Sequence, residues 1–258
     1  MSLNRRNWLT AAGASLTSLW LAGCDKLATN TTFTGVLQVA EKWSQGAQRL
    51  ITDRKALARE FPPSDISSDF KANGTMRPQD EDYDALMAGG FADYRLVVDG
   101  LVAQPLELTM GQVRALPART QITRHDCVEG WSSIGKWKGA RLSALLQQAQ
   151  LKPEAKYIVF HCFDTLDPSA TDNTAGRYYE SIDLIDARHP QTILAYDMNG
   201  RPLPVRHGAP LRLRVERQLG YKHAKYIRRI EAVESLDGLG LGRGGFWEDR
   251  GYEWYAGI

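Results

Sequence analysis

Residues 124–132 read Arg124-His125-Asp126-Cys127-Val128-Glu129-Gly130-Trp131-Ser132. The stretch leading into them, Arg119 to Asp126, reads as a strand, so Cys127 stands where a strand gives way to a glycine-containing loop. Positive charge beside a thiol lowers its pKa, and the thiolate is the form that binds metal; with Arg124 and His125 as neighbours, Cys127 is a candidate thiolate. A soft thiolate suits a transition metal better than calcium or magnesium. A buried free cysteine would explain the same residue without chemistry. So would a disulfide: the chain holds Cys24, Cys127 and Cys162, and in an oxidising compartment the last two could pair. No Cys-x-x-Cys or Cys-x-x-Cys-His spacing occurs, so a thioredoxin-like centre and a covalent haem lack support.

Working outward, the flanking sequence is a mixture of short strands and helices. Tyr94 to Val98 reads as a strand closed by the turn pair Asp99-Gly100, and Tyr157 to Phe163 as a strongly buried strand. Thr109 can cap a short helix running through Val113 and Leu116 to Pro117, and Leu142 to Ala149 is a second helix. Asn199-Gly200, between Ile193–Met198 and Pro202–Val205, predicts a hairpin. Leu211, Leu213 and Val215 alternate with Arg212, Arg214 and Glu216, a strand with one polar face, and Tyr226 to Val233 makes the last strand. Upstream, apolar residues from Val36 to Leu57 recur at helical spacing within Gly35 to Glu60, and Pro62-Pro63 ends that helix. The fold class is α+β, rich in short β-strands.

A second constellation is basic. Between Arg201 and Arg229 lie nine Lys or Arg, and only Glu216 opposes them before Glu231. A solvated basic face is the bland explanation. Strand alternation, however, puts Arg212 and Arg214 on one face, and Gly220 in Gly220-Tyr221-Lys222-His223-Ala224-Lys225 lets backbone approach a ligand. Arginine forks, lysine and free amides together suit a phosphate.

The chain of 258 residues, 43% hydrophobic and 24% charged, is long enough for one large core or two small ones. Its net charge of +2 is too small to point to nucleic acid. The first 24 residues read as an export signal: Arg5-Arg6 ahead of Trp8-Leu9, then an apolar run from Ala11 to Ala22 too short to span a bilayer. The arginine pair resembles the twin-arginine type. Leu21-Ala22-Gly23-Cys24 resembles a lipoprotein box that would acylate Cys24 and tether a periplasmic protein to the inner membrane. The expected organisation is residues 1–24 signal, 25–69 linker and N-terminal helix, 70–258 catalytic domain.

From about residue 70 onward the chain resembles the sulfite-oxidase superfamily. The resemblance is carried by the Cys127 loop with Trp137 and Gly139, by Leu194-Ala195-Tyr196-Asp197-Met198-Asn199-Gly200-Arg201-Pro202-Leu203-Pro204, by His207-Gly208-Ala209-Pro210-Leu211-Arg212, and by residues 220–225. The resemblance implies a sulfite-oxidase-type fold holding a single molybdenum-molybdopterin cofactor, with Cys127 as the metal ligand. His207, Arg212, His223, Ala224 and Lys225 match pterin- and phosphate-binding positions. Asn73 matches an upstream cofactor-contacting asparagine, and Cys162 a cofactor-contacting strand end, which argues against a disulfide. Arg124 and His125 are candidates for the substrate side.

Departures from the family bear on substrate. Animal and plant sulfite oxidases follow the metal cysteine with Gly-Asn-Arg-Arg; Val128-Glu129-Gly130-Trp131-Ser132 is closer to the bacterial periplasmic methionine-sulfoxide reductases. The Tyr-Glu pair of those reductases is replaced by Gly74-Thr75-Met76-Arg77 after Asn73. The expectation is two-electron or oxygen-atom transfer on a small molecule other than sulfite. The chain ends soon after its last strand, so a monomer is expected, exchanging electrons with a separate haem or cytochrome protein of the membrane. Two rivals stand beside it. One is a cysteine hydrolase using Cys127 with His125, His161 or His207 as base; the other is a non-catalytic anion-binding module. Both predict protein without molybdenum.

Overall fold

The computed structural model describes residues 56–170 and 176–258, and of the preceding stretch only Trp43 and Gly46, both helical. The export-type segment, the tether and most of the helix expected over 35–60 therefore lie outside the described residues. The folded body falls within the compact unit Asp53–Ile258.

Its elements run α1 (Glu81–Ala88), β1 (Arg95–Gly100), β2 (Leu106–Thr109), α2 (Met110–Ala115), β3 (Ala118–Asp126), β4 (Ser132–Arg141), α3 (Leu142–Ala149), β5 (Tyr157–Thr165), β6 (Arg177–Asp183), α4 (Leu184–Ala187), β7 (Ile193–Met198), β8 (Arg201–Pro202), β9 (Arg212–Arg214) and β10 (Ile227–Val233). They form two sheets. One has the order β2-β1-β10-β5-β6, with β1 and β10 parallel; the other runs β3-β4-β7-β8, with β9 also on β7. A continuous apolar core joins them, built from Leu96, Val98, Ile158, Phe160 and Ile230 of the first sheet and Leu194, Tyr196, Leu211 and Leu213 around the second. Phe70 and Trp137 head a smaller cluster on the other side of β7.

Local chemistry explains several of these elements. Thr109 caps α2 in a full capping box, its hydroxyl accepting from Gln112 N while Gln112 returns a bond to Thr109 N. Thr109→Ala should lower stability by about 1 kcal/mol, seen as a Tm drop of about 2–4 °C; an unchanged Tm would deny the box any weight. The hairpin at Asn199-Gly200 forms as expected, with φ of 51° and 78° at the two residues. At Gly139 a Cβ would sit 2.2 Å from Leu194 O, so β4 and β7 approach closely only because this residue is glycine.

Three expectations are corrected. Residues 56–59 are not helical; Ala58 exchanges hydrogen bonds with the Gln191 amide and Glu60 bridges Thr123, so residues 58–60 lie along the body in extended form. Asp99-Gly100 is no turn: it is the end of β1, and Gly100 pairs with Ala232. The strand expected at Pro202–Val205 stops at Pro202 and a 3₁₀ turn covers Val205–His207, because Pro202 and Pro204 have no N–H for a ladder. Of the two readings open for the polar side of the 211–216 strand, the solvated face is excluded. Arg212 and Arg214 are 1% and 0% exposed, with their guanidinium carbons 5.0 and 4.5 Å from the centre of the buried Trp137 ring.

Candidate active site

The β3–β4 connection is a tight turn. Cys127 N donates to Trp131 O (2.9 Å), Gly130 N donates to Cys127 O (3.0 Å), and Gly130 takes a φ of +84°. The turn holds Cys127 half-buried at a cleft that is also lined by Asn73, Asp164, His223, Lys225 and Trp247. Cys162 is buried in β5 with its Sγ 3.9 Å from Phe160 O, and both cysteines are free thiols. Burial pushes both thiols up, Cys162 far more than Cys127. The expectation that Arg124 and His125 depress the Cys127 pKa is therefore corrected. Arg124 pairs with Asp126 at 2.8 Å, and His125 is an uncharged buried ring. A bound metal ion would itself deprotonate such a thiol.

Behind the cleft lies a layer of buried cations, and most have buried counter-charges. Arg214 forms a two-pronged pair with Glu216 (2.8 and 2.5 Å). Lys222 Nζ lies 2.5 Å from both Glu180 and Glu248. Two cations differ. Arg212 donates only to the carbonyls of His207 (3.0 Å) and His223 (3.4 Å), and its buried Nε has no partner. Lys225 donates to the carbonyls of Asn73 (2.6 Å), Thr75 (2.5 Å) and Arg206 (3.4 Å). Burial, then Arg214, push Arg212 down to about 9; burial and Arg212 push Lys225 down to about 7. A guanidinium keeps its proton at neutral pH, so the direction marks a positive charge in an unfavourable place, which a bound anion would relieve. The two side chains flank Gly208, where a Cβ would meet Lys225 Cβ at 3.0 Å and Arg212 Cβ at 3.1 Å.

His125, His207 and His223 are held neutral, and the tautomers of His125 and His223 are set by their partners. Arg214 Nη1 can only donate, so His125 Nδ1 accepts from it at 3.0 Å and the proton sits on Nε2, against Gly220, where a Cβ would lie 2.6 Å away. His223 Nε2 donates to Gln218 O at 3.0 Å, which leaves Nδ1 a buried acceptor without a partner. Burial is the leading cause of the lowered pKa of both, followed by Arg214. His207 falls to about 4, through burial and then Arg212.

Cys127, Asn73, His223 and Lys225 thus meet at one cleft, with Arg212 packed behind it and the buried Ala224 passing its carbonyl to Leu213 N. His207 is 6% exposed, edge-on to Phe70 at 5.6 Å. Of the candidate residues, Arg124, His125, Cys162, His207, Arg212 and Ala224 are not in its lining. Arg124 lines a different depression with Arg59 and Phe61, and His125 is enclosed by Phe70, Trp131 and His223. Cys162 opens on a further depression with His161 and Arg229. Sequence reasoning missed Asp164, which lines the cleft with a buried Oδ1 lacking a partner and is pushed up to about 6, chiefly by burial. It also missed Trp247 and Tyr252. Asp164 lies two residues beyond Cys162 at the end of the same strand, and that adjacency was the available hint.

An unpartnered imidazole nitrogen and a free cysteine at one cleft, with a buried guanidinium lacking its own carboxylate behind it, fit an anionic, hydrogen-bonding cofactor with a thiolate-seeking metal. Comparison with known proteins agrees. Residues 85–237 match the family described as "Oxidoreductase molybdopterin binding domain". The chain is 35% identical over 250 residues, 96% of itself and 84% of the relative, to a protein of Azospira oryzae named "Putative protein-methionine-sulfoxide reductase subunit YedZ1". It is 35% identical over 147 residues to the protein-methionine-sulfoxide reductase catalytic subunit MsrP of Gluconobacter oxydans, and 34% identical over 145 to that of Xanthomonas campestris. Those alignments cover 55% and 54% of this chain but only 47% and 44% of the relatives. The sulfane dehydrogenase SoxCD of Paracoccus pantotrophus superposes over 56% of this chain and 39% of its own, with a TM-score of 0.48 and 25% identity.

The chain therefore belongs to the molybdopterin-binding oxidoreductase family. It is an oxidoreductase of the sulfite-oxidase type whose cofactor is molybdopterin.

Proposed function

We propose that the protein reduces sulfoxides, methionine sulfoxide residues of proteins among them, at a molybdenum attached through Cys127. The observation that carries this is the meeting of Cys127 and Lys225 at one cleft, with the buried Arg212, which has no carboxylate of its own, packed behind it. The names of the relatives support the substrate class. When bound, the cofactor supplies two-electron redox chemistry that the side chains cannot. The chain's own residues bind and orient. Arg212 and Lys225 would hold the phosphate, the unpartnered His223 Nδ1 would be an acceptor for the pterin, and the Cys127–Trp131 turn fixes the thiol. The buried Arg214–Glu216 pair holds His125 and so the layer beneath. Protein made in a cofactor-competent host should contain molybdenum and reduce methionine sulfoxide with a viologen donor. Metal-free protein, or a loaded enzyme that oxidises sulfite and leaves sulfoxides untouched, would overturn the proposal.

The relatives are named as subunits, which supports electron supply from a second protein, for which we propose a haem-bearing membrane subunit. Export by the twin-arginine route to the periplasm, with Cys24 lipidated, belongs to the same proposal and rests on residues 5–24. Replacing Arg5 and Arg6 by Lys should leave folded, cofactor-loaded protein in the cytoplasm on fractionation. Undiminished export of the double variant would count against cytoplasmic loading.

A further inference from the structure

The cleft has one wall that lies outside the stretch matched to the family. Residues 238–258 follow the matched region 85–237 and yet supply Trp247 and Tyr252 to the lining. Together with Tyr221 they make an aromatic face: Tyr221 and Tyr252 meet edge-on with centres 5.2 Å apart, and Trp247 and Tyr252 lie 5.3 Å apart. The segment is fixed from beneath. Glu248 pairs with the buried Lys222, Tyr179 donates to Asp249 (2.6 Å), Trp254 donates to Ser181 (2.8 Å), and Leu219 N donates to Ala256 O (2.9 Å). Tyr221 is fixed as well, its hydroxyl donating to Glu253 O at 2.6 Å. Tyr252 is 40% exposed, and across the cleft Val128, next to Cys127, is 44% exposed. The apolar rim is therefore continuous with the site of chemistry.

The charges at this mouth are wrong for a small anion. Glu129 and Asp164 line the cleft as acids. The lining cation, Lys225, is engaged by backbone carbonyls and assigned above to the cofactor's phosphate, and Lys71 lies over the Trp131 ring at 5.0 Å. With Arg212 and Lys225 taken up by the cofactor, a further oxyanion would meet carboxylates, whereas a neutral group with alkyl arms would meet aromatic faces that sulfur favours.

We propose that Tyr221, Trp247 and Tyr252 form the specificity wall of the cleft, selecting a neutral, alkyl-armed sulfoxide such as a methionine sulfoxide side chain over small anions. This rests on the sulfoxide-reductase reading above, but binding tests it separately from turnover. Titration calorimetry on the molybdenum-loaded enzyme would compare N-acetylmethionine sulfoxide N-methylamide with sulfite. Tyr252→Ala should weaken sulfoxide binding about tenfold, Tyr252→Phe should restore it, and sulfite should bind poorly to all three. Molybdenum and pterin content should be equal throughout, since Tyr252 does not support the fold through any buried polar bond. Equal sulfoxide affinity in wild type and Tyr252→Ala, no sulfoxide binding to the wild type, or sulfite binding as tight as the sulfoxide overturns the wall. Tyr252-dependent binding without reduction of the bound sulfoxide upholds the wall and overturns the reductase reading.

Discussion

Cys127→Ser is expected to abolish turnover while leaving a folded protein that retains its pterin. The turn that presents residue 127 is held by backbone bonds, Cys127 N to Trp131 O and Gly130 N to Cys127 O, neither of which uses the thiol. The cations that would hold the cofactor's phosphate, Arg212 and Lys225, lie on other elements. What the substitution removes is a soft ligand, replacing it with a hydroxyl that rarely ionises. X-ray absorption at the molybdenum edge should count one sulfur ligand fewer. Cys162→Ser is the matched control: Cys162 is 1% exposed inside β5, burial holds its thiol neutral, and it opens away from the Cys127 cleft. It should keep the sulfur count and most of the activity. If Cys162→Ser loses a sulfur ligand while Cys127→Ser keeps all of them, the two cysteines have been assigned in reverse.

The Cys127 turn was legible because its evidence is local: a strand, a glycine and a second strand within about twenty residues. The same holds for the Asn199-Gly200 turn, the Thr109 cap and the helix Leu142–Ala149, which the structure reproduces within a residue. Charge was harder. In sequence, nine cations between Arg201 and Arg229 face one carboxylate, Glu216. In the fold, Glu180 and Glu248 arrive at Lys222 from positions 42 and 26 residues away, Asp186 reaches Arg217, and Asp99 reaches Arg229. A window along the chain cannot see these pairings, so it could not tell which cations are left over. Period-2 alternation was read correctly at Arg212 and Arg214, yet it only says that they share a face. That the face is closed by Trp137, an aromatic ring from the neighbouring sheet strand β4, depends on tertiary packing. His125 shows the converse. Closeness to Cys127 suggested a shared role, but β3 ends at Asp126 and Cys127 already belongs to the turn, where strand alternation no longer sets its direction; His125 points into the Arg214–His223 layer while Cys127 opens on the cleft.

Arg212→Ala is expected to strip the protein of cofactor, and the sign of its effect on the empty protein is the informative part. Where phosphate is bound, Arg212 is a buried donor to a dianion, and deleting one partner of such a pair costs roughly 2–5 kcal/mol. That corresponds to a loss of affinity between roughly 30-fold and several thousandfold. Where phosphate is missing, the same guanidinium is buried without a carboxylate, beside Arg214, with an unpartnered Nε. Its removal then relieves a charge penalty while sacrificing the bonds to His207 O and His223 O and the packing on Trp137. The substitution should therefore lower the Tm of loaded protein far more than that of protein made without cofactor. Arg201→Ala, at an exposed position of the β7–β8 hairpin, should alter neither. Pterin content by fluorescence after release, together with melting curves of loaded and empty forms, measures both arms. Equal pterin retention in the Arg212 and Arg201 variants would place the phosphate elsewhere. A Tm loss of the same size in loaded and empty protein would make Arg212 a packing residue and leave Lys225 as the remaining candidate for the anion.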